Sequence, residues 1–439
     1  MQLKPSDWRA ALAGATASLL APVAPIAAHA AGTADGPTPW LVDSAVLVYN
    51  EGGGRVRAVE PVLGLKRSNA AGVGTGLKLT LDSLTGASPN GAVAQPGVQT
   101  FTSPSGKATY EAPAGRVPLD PSFKDTRVAL AANQERPWGA DQRLSYGLNV
   151  SNEYDFTSVG ANVSLARDFD RRNTTLSLGL AVEATQMRPV GGQPLPLKPM
   201  FGTGSGKAGN ASRNVADLLL GWTQVVNRQW LMQLNLGLGS GSGEHTDPYK
   251  LLSVVDGGTG LLTGSRYVAE SRPDSRTRTS LFWAHKLSLG PGVLDASYRW
   301  YGDSWGVRSH TVDLRWRHPL PGGGFVQPRW RHHVQSAADF YRGWLVEGVD
   351  WNSATQTTPL AHASADARLG GFTADTVGVT LGWPLAREQL VTLRLESYRQ
   401  RQDSLAGAPG VLATLPLTPE LKATMLTLSL IHISQGIVR

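Results

Sequence analysis

Basic side chains recur at alternate positions in four consecutive segments between residues 276 and 333 of this 439-residue chain. Guanidinium and ammonium groups bind carboxylates and phosphates, either within the protein or on a ligand. The array comprises Arg276, Arg278, Lys286, Arg299, Arg315, Arg317, Arg329 and Arg331, with His333 beside it, and the interleaved acids are Asp295, Asp303 and Asp313. Eight basic and three acidic residues leave a surplus of five positive charges. The array therefore indicates a surface that attracts anions or an acidic partner, or a ladder of ion pairs that fixes strand register.

Hydrolytic chemistry would need a histidine close to a hydroxyl and a carboxylate. The histidines with such neighbours in the sequence are His310 near Asp303 and Ser309, His333 beside Arg331, and His245 before Asp247. Neighbouring strands bring such residues together by chance. We therefore predict no catalytic residues, no metal site and no cofactor, and keep a hydrolase as the least favoured alternative.

The segments that carry these groups alternate polar and apolar residues, which is the period of a β-strand. Between Ser309 and Gln335, the apolar face carries Leu314, Trp316 and Trp330, and the turn HPLPGGG separates two such runs. This pattern predicts a hairpin. Similar alternating segments recur to the end of the chain, many of them long enough to cross a bilayer at a tilt. Their count predicts sixteen strands, within a range of 14 to 18.

The connections between these segments alternate between short and long. The long ones span about 83–125, 188–213, 239–275, 337–363 and 401–422. Outer-membrane barrels have short periplasmic turns and long extracellular loops, and an even strand count places both termini in the periplasm. We therefore predict an all-β, transmembrane, antiparallel up-and-down barrel with Trp316 and Trp330 facing lipid and the charged residues facing the lumen. A large soluble β-protein is the alternative.

The N-terminal residues have the pattern of a secretory signal, which predicts export of the protein. Lys4 and Arg9 precede an apolar stretch, and Ala28-His29-Ala30 has the pattern of a cleavage site. We predict a signal peptide over residues 1–30 and a single barrel domain over residues 31–439.

The absence of cysteine excludes disulfides and thiolate chemistry. A net charge of +7 could suggest nucleic acid, but the chain has no basic run or basic helix, so we exclude that partner.

The first long loop is a second candidate site. At more than forty residues it exceeds a simple connection, and such loops are usually functional or disordered. Its start contains the turn-forming and polar residues Asp82, Thr85, Gly86, Ser88, Pro89, Asn90 and Gly91. These residues either constrict the lumen or belong to a cap over the strand ends.

Several long stretches resemble one bacterial family. They include DSLTGASPNGA (82–92), YGLNVSNEYDFTSVGANVSLARDFDRRNTTLSLGL (146–180), SRPDSRTRTSLFW (271–283) and SYRWYGDSWGVRSHTVDLRWR (297–317). The resemblance is to the outer-membrane family called domain of unknown function 3570, and it covers essentially the whole mature chain. It implies an outer-membrane barrel. It also implies a genomic setting near small lipoproteins, thioredoxin-like proteins and flavin transferases, which suggests an envelope redox or electron-transfer context.

The C-terminus departs from that resemblance. Barrels of this type usually end in a strand that closes on an aromatic residue, whereas this chain ends LSLIHISQGIVR from Leu428. One reading frame of a common sequencing adapter encodes LSLIHI. We predict that the native end is replaced from about Leu428; the alternative is an atypical strand with a short tail.

The sequence therefore predicts a porin-like barrel in the outer membrane of a Gram-negative envelope, inserted into lipid by the barrel-assembly machinery. The favoured function is a channel or conduit for small solutes with a basic lumen wall. The alternative is a scaffold that docks a small lipoprotein or a periplasmic redox protein.

Overall fold

The computed structural model describes residues 39–104, 107–202, 205–386, 388–418 and 420–434. Its strands are β1 (Trp40–Glu51), β2 (Arg57–Ser68), β3 (Gly74–Pro89), β4 (Gln99–Thr102), β5 (Thr109–Ala112), β6 (Leu119–Pro137), β7 (Gln142–Asn152), β8 (Phe156–Phe169), β9 (Thr174–Met187), β10 (Gln193–Pro194), β11 (Lys207–Ala208), β12 (Ala211–Asn227), β13 (Trp230–Gly243), β14 (Leu251–Val255), β15 (Leu262–Ala269), β16 (Ser275–Leu289), β17 (Gly292–Asp303), β18 (Arg308–Pro319), β19 (Phe325–Gln335), β20 (Leu345–Val346), β21 (Phe372–Ala386), β22 (Gln389–Gln402) and β23 (Leu421–Ser434). Short 3₁₀ helices lie at Asp170–Arg172, Pro321–Gly323, Ala367–Leu369 and Gly410–Thr414. In the described part of the chain no helix is long and apolar enough to cross a membrane.

Sixteen of these strands form one closed barrel, in the order β1, β2, β3, β6, β7, β8, β9, β12, β13, β16, β17, β18, β19, β21, β22 and β23. Each strand is antiparallel to its neighbours, and β1 closes on β23 with Trp40 opposite Ser434. The all-β, up-and-down barrel of sixteen strands is thus confirmed. Because the count is even, the chain enters and leaves at the same end, here called the turn end.

The barrel wall is apolar outside and polar inside. On β9, Leu178, Leu180 and Val182 point outward and are 45–59% exposed. On β18 and β19 the outward positions include Leu314 and Trp330, which are 36% and 43% exposed. An apolar exterior around a polar lumen is the inverse of a soluble protein and matches a barrel that contacts lipid.

The predicted hairpin is β18 and β19. Its register places Asp313 opposite Arg331 and Arg315 opposite Arg329, so the charged side chains share the inner face. The turn closes where the backbone N–H of Leu320 donates to the carbonyl of Gly324 at 2.8 Å. Gly322 has a φ of 77°, in the left-handed region that favours glycine.

The seven turn-end connections contain two to five residues, at 69–73, 138–141, 170–173, 228–229, 290–291, 320–324 and 387–388. The five longest connections all leave the opposite end, here called the loop end, and span 90–118, 188–210, 244–274, 336–371 and 403–420. The first is shorter than the predicted 83–125 because β3 and β6 stay paired out to Pro89 and Leu119. Asp82, Thr85, Gly86, Ser88 and Pro89 therefore lie on a strand, and within the predicted set the loop holds Asn90 and Gly91 alone.

The five long connections fold together into what we call the cap. Val93, Val255 and Leu412 come from three of them, are at most 1% exposed and form one hydrophobic cluster, against which Trp344 of a fourth packs. The fifth contributes Leu197 to a neighbouring cluster. Because these connections leave the barrel at points spread around its circumference, they can meet only across the mouth. The cap therefore covers the loop end.

Both ends of the chain carry a prediction from the sequence. The predicted signal peptide, residues 1–30, lies outside the described residues. Leu428 is opposite Leu393 of β22 and Val46 of β1, so β23 completes the barrel. The prediction that the native end is replaced from Leu428 stays a prediction, because any alternating segment of this length can pair in this way.

Candidate functional site

The charged residues form a surface on the lumen face of β16, β17, β18, β19 and β22, together with Asp217 of β12; this surface is here called the charged wall. Alternation turns the even-numbered residues of β16 and the odd-numbered residues of β17–β19 into the lumen. The register then sets Lys286 opposite Asp295 and Arg278 opposite Asp303. The structure thus brings the predicted basic residues and their three interleaved acids onto one side of the barrel.

Asp313 lies at the centre of the charged wall. Arg315 donates from Nε to Asp313 Oδ1 at 2.9 Å, and Arg329 donates from Nε to Oδ2 at 3.1 Å. Arg329 also donates from Nη1 to Glu396 Oε1 at 2.7 Å. Asp313 and Glu396 are only 9% and 6% exposed, so their charge-assisted hydrogen bonds are weakly screened by water. The result is a ladder of alternating charges that ties β18 and β19 to β22.

Glu396 reaches Arg329 across an intervening strand because of Gly378. In the register of β21, Gly378 stands directly between Arg329 and Glu396. A Cβ at this position would lie 2.6 Å from Glu396 Cγ and 2.9 Å from the backbone carbonyl oxygen of Leu395, so the Glu396 side chain could not keep its position. Glycine is therefore needed here for close approach.

At the loop end, Asp303 joins the charged wall to the β17–β18 turn. Arg276 donates from Nε to Asp303 Oδ2 at 2.9 Å, and its guanidinium lies 4.1 Å from the ring centroid of Trp305. Asp303 Oδ1 accepts the backbone N–H groups of Trp305 and Val307 at 2.9 and 3.0 Å. These bonds neutralise Arg276 and give it a structural role.

At the turn end the cations are more exposed. The Lys286 and Asp295 side chains are 3.3 Å apart and 59% and 35% exposed, and Arg315 is 43% exposed. Arg317 lies 3.7 Å from the ring centroid of Phe325. A cation–π contact leaves the charge in place. The accessible positive charge of the wall is therefore concentrated towards the turn end.

Three residues of the charged wall were missed by the sequence analysis. Asp217 of β12 accepts a hydrogen bond from Arg278 at 3.0 Å, Glu396 pairs with Arg329, and Arg394 contacts Thr380 Oγ1 at 3.3 Å. Their alternation with apolar neighbours would have revealed their direction but not their partners. With them the wall has nine basic and five acidic side chains, a surplus of four positive charges.

The opposite lumen wall, on β6–β9, β12 and β13, carries small and amide side chains. They include Ala129, Ala131, Asn133, Ser145, Gly147, Asn149, Gly160, Asn162, Ser164, Gly179, Ala181, Gly221, Asn235 and Gly237. Short side chains leave space in front of the charged wall. Charged side chains on these strands, such as Arg143, Asp168 and Glu183, lie towards the strand ends. The lumen is therefore asymmetric at mid-height, with charge on one side and room on the other.

The structure does not assemble the histidine constellations considered above. His310 faces outward and contacts the Tyr298 hydroxyl at 2.7 Å, whereas Asp303 faces the lumen. His333 faces the lumen, where its Nδ1 lies 2.8 Å from Thr311 Oγ1. His245 lies in the cap, where burial lowers its pKa to about 4, and Asp247 is paired with Arg368 instead.

A buried ion-pair cluster in the cap was also missed by the sequence analysis. It consists of the acids Asp247, Glu270 and Asp366 and the bases Lys250, Arg272 and Arg368. Arg272 joins Glu270 at 2.6 Å to Asp366 at 2.8 Å, and Arg368 joins Asp366 to Asp247 at 2.7 Å. The cluster therefore links connection 244–274 to connection 336–371. Nothing in the spacing of these residues along the chain predicts it.

A closed antiparallel barrel with an apolar exterior, a charged lumen wall and long connections at one end defines the class: a membrane-spanning β-barrel of the outer-membrane type. The family model described as "Protein of unknown function (DUF3570)" matches residues 9–432, and this chain belongs to that family. No curated protein sequence matches the chain significantly.

Solved structures with similar folds are distant. CdiB from Acinetobacter baumannii has a TM-score of 0.42 and 9% identity over 89% of this chain, which spans 60% of CdiB. OccD3 (OpdP) of Pseudomonas aeruginosa has a TM-score of 0.42 and 9% identity, with 92% and 93% of the two chains covered. OccK2 (OpdF) of the same organism, in complex with glucuronate, has a TM-score of 0.39 and 12% identity, with 91% and 100% covered. A functional assignment must therefore come from the residues of this chain.

Proposed function

We propose that this protein is an outer-membrane channel for small anionic solutes, exported by its N-terminal signal and kept closed at rest by the cap. The observation that carries the proposal is the asymmetric lumen. Exposed Lys286 and Arg315 face a wall of short side chains, so a solute can approach the positive charge without displacing bulky groups.

The charge surplus supplies a preference for anions. Rings or rows of Arg and Lys in a pore favour anions because their potential extends into the water of the lumen. At physiological ionic strength that potential decays over about 8 Å, so it acts on solutes that pass close to the charged wall. The ion pairs of Asp313 hold the charged side chains against the wall and prevent them from filling the lumen.

The test is ion selectivity in planar bilayers. The triple variant Lys286→Gln, Arg315→Gln, Arg317→Gln removes three turn-end cations, and we expect the chloride-to-potassium permeability ratio to fall several-fold. The matched control Arg228→Gln, Arg342→Gln, Arg401→Gln removes the same charge outside the lumen and should leave the ratio unchanged. Equal ratios in both variants would refute the anion preference, and no conductance from a folded barrel with its cap released would refute the channel.

A scaffold in an envelope redox system is the second candidate, and the cap favours it. A mouth covered by packed hydrophobic clusters suits a barrel that docks a partner rather than one that conducts. This alternative expects no conductance with or without the cap, together with co-purification of a small lipoprotein or a periplasmic redox protein from native membranes. A conducting barrel that brings down no such partner would rule it out.

A further inference from the structure

The outer face of the barrel carries a row of basic side chains at the loop end of β22, β23, β2 and β6. We call this row the basic arc, and its members are Arg399, Lys422, Arg57 and Lys124. The register sets Arg399 opposite Lys422, and Thr85 of β3 lies between Arg57 and Lys124. Strand β1 joins the two halves of the arc. Four cations thus lie along six consecutive strands of the wall.

The basic arc lies at the border of the apolar exterior. Along each strand towards the turn end, the first outward apolar side chain follows the cation within one or two outward positions. These apolar residues are Leu395, Leu426, Val59 and Val128, which are 41–50% exposed. Outward apolar side chains of a membrane barrel contact lipid tails. The cations just beyond them therefore lie at the depth of the lipid headgroups.

The same border is neutral on the opposite side of the barrel. One or two outward positions beyond the last apolar residue, strands β7, β8, β9, β12, β13 and β16 carry amides and hydroxyls. These are Asn152, Thr157, Gln186, Asn214, Ser242 and Thr277. Long basic side chains can extend to water from any such position, so hydration of the barrel rim does not explain their concentration on one arc. A ligand of opposite charge does explain it.

One half of the arc is held together by a carboxylate. Glu420 accepts a hydrogen bond from Arg399 Nε at 2.8 Å and lies 3.0 Å from Lys422 Nζ. The Arg399 and Lys422 side chains nevertheless remain 48% and 60% exposed. Glu420 therefore fixes two cations side by side and leaves part of each available to a ligand.

The other half of the arc has no such partner. Arg57 and Lys124 are exposed, and neither makes an ion pair or a side-chain hydrogen bond with the residues that the structure describes. The outward acids beside the arc are Glu420 and Asp375, of which Asp375 contacts His332. Four cations against two carboxylates leave a surplus of two positive charges. That surplus is concentrated at Arg57 and Lys124.

We infer that the basic arc binds a lipid whose headgroup carries phosphate groups. Guanidinium groups bind phosphate through two parallel hydrogen bonds, and ammonium groups bind it as point charges. Arg57 and Lys124 are about 10 Å apart across β3, at a strand spacing of about 4.8 Å. A headgroup with two phosphates can therefore contact both, while its acyl chains lie along the exposed Val59 and Val128. The inference rests on the loop end facing outward, which makes the ligand the phosphorylated glycolipid of the outer leaflet.

Native mass spectrometry of the full chain in detergent tests the inference, with diphosphorylated lipid A as the probe. Arg57→Gln with Lys124→Gln removes the two unpaired cations, and we expect the apparent Kd for lipid A to rise at least fivefold. The matched control Arg188→Gln with Arg308→Gln removes two exposed loop-end cations outside the arc and should keep the wild-type affinity. Equal weakening by both variants, or no weakening by the first, would overturn the inference.

The identity of the lipid is tested with three further probes. Dephosphorylated lipid A should bind the wild type no more tightly than lipid A binds the double variant, and inorganic phosphate at an equal phosphate concentration should not displace lipid A. Phosphatidylglycerol should bind the wild type and the double variant alike. Tight binding of the dephosphorylated form, displacement by inorganic phosphate, or a variant that weakens phosphatidylglycerol in place of lipid A contradicts the assignment.

Two readouts separate this inference from the fold and from the channel. Both variants should migrate as compact species before heating, because every substitution replaces one exposed polar side chain by another. Their chloride-to-potassium permeability ratio should equal that of the wild type, since these cations lie outside the lumen. Loss of lipid A binding at an unchanged ratio supports the lipid site whether or not the lumen selects anions.

Discussion

At the scale of single residues, Asp313 is the group on which the charged wall depends most. It accepts hydrogen bonds from both Arg315 and Arg329 while only 9% exposed. Asp313→Asn leaves two guanidinium groups without their shared counter-charge. We expect a loss of about 1–3 kcal/mol in the free energy of unfolding, the usual range for a hydrogen bond to a buried charged group. Urea unfolding of the purified barrel in detergent measures it.

Asp295→Asn is the control for that prediction. It makes the same change in charge at a pair whose lysine is 59% exposed. Exposed ion pairs contribute only about 0–1 kcal/mol. Both variants should raise the chloride preference of the pore by a similar factor, whereas only Asp313→Asn should be clearly destabilised. Equal losses of stability would show that Asp313 has no special structural role.

At the scale of elements, Arg368 locks two connections of the cap together. It bridges Asp366 on its own connection and Asp247 on connection 244–274. Arg368→Gln leaves buried carboxylates with less counter-charge, which costs about 3–5 kcal/mol when a buried pair is broken. We expect trypsin to cut the cap at least tenfold faster and single-channel conductance to rise.

Arg342→Gln provides the matched control on the same connection, because the Arg342 side chain is exposed and donates to the neighbouring backbone carbonyl of Tyr341. This variant should keep the wild-type proteolysis rate and conductance. An Arg368→Gln variant that is cut no faster than Arg342→Gln would show that the hydrophobic clusters alone hold the cap.

The ion-pair cluster also sets how the cap responds to pH. Burial would raise the pKa of Asp366, but Arg368, Lys250 and Arg272 outweigh it and lower that pKa. Its stabilising effect is therefore present above the unfolded value of about 3.9 and is lost only in stronger acid. Burial raises the pKa of Glu270, against the opposing effect of Arg272. The contribution of Glu270 to stability therefore has the opposite pH dependence to that of Asp366. It is present at low pH and is lost as the pH rises through the folded pKa of Glu270.

Mild acid should consequently tighten the cap rather than loosen it. As the pH is lowered towards the raised pKa of Glu270, Asp366 keeps its charge while Glu270 takes up its proton. We expect slower deuterium uptake over residues 244–274 at pH 5, after correction for the intrinsic exchange rate. Glu270→Gln should abolish the difference. Faster corrected uptake by the wild type at pH 5 would contradict this assignment.

At the scale of the whole molecule, the placement of the long connections predicts the orientation in the membrane. The loop end carries all five long connections and should face outward from the cell. Ser404→Cys is at an exposed position in connection 403–420, and Arg228→Cys lies in the turn 228–229 at the other end. In intact cells a maleimide on a 5 kDa polymer, about the size of a small protein, should label Ser404→Cys alone.

Permeabilised cells supply the control for that orientation. Once the outer membrane is opened, both cysteines should react with the same reagent. Labelling of Arg228→Cys in intact cells without labelling of Ser404→Cys would place the loop end in the periplasm, and the proposed direction of the channel would be reversed.

The fold could be predicted from the sequence because the alternation of polar and apolar residues in a strand is a local pattern. Polar and apolar residues at every second position place Trp330 outside and Arg329 inside without knowledge of any distant partner. The same pattern predicted sixteen strands and most members of the charged wall, but not Asp217, Glu396 or Arg394. The predicted bounds of the first long connection were less accurate. The turn-forming residues Gly86 and Ser88 remain in strand β3, because its pairing with β6 outweighs their local preference for a turn.

The sequence by itself determined the barrel and the direction in which the predicted wall residues point, because each depends on neighbours within a few residues. Only the tertiary structure decided which charges are neutralised. Arg278 meets Asp217 across 61 positions, and Arg329 meets Glu396 across 67 positions and one intervening strand. The cap was likewise decided by closure of the barrel, since only a closed ring of strands brings five separated connections across one mouth.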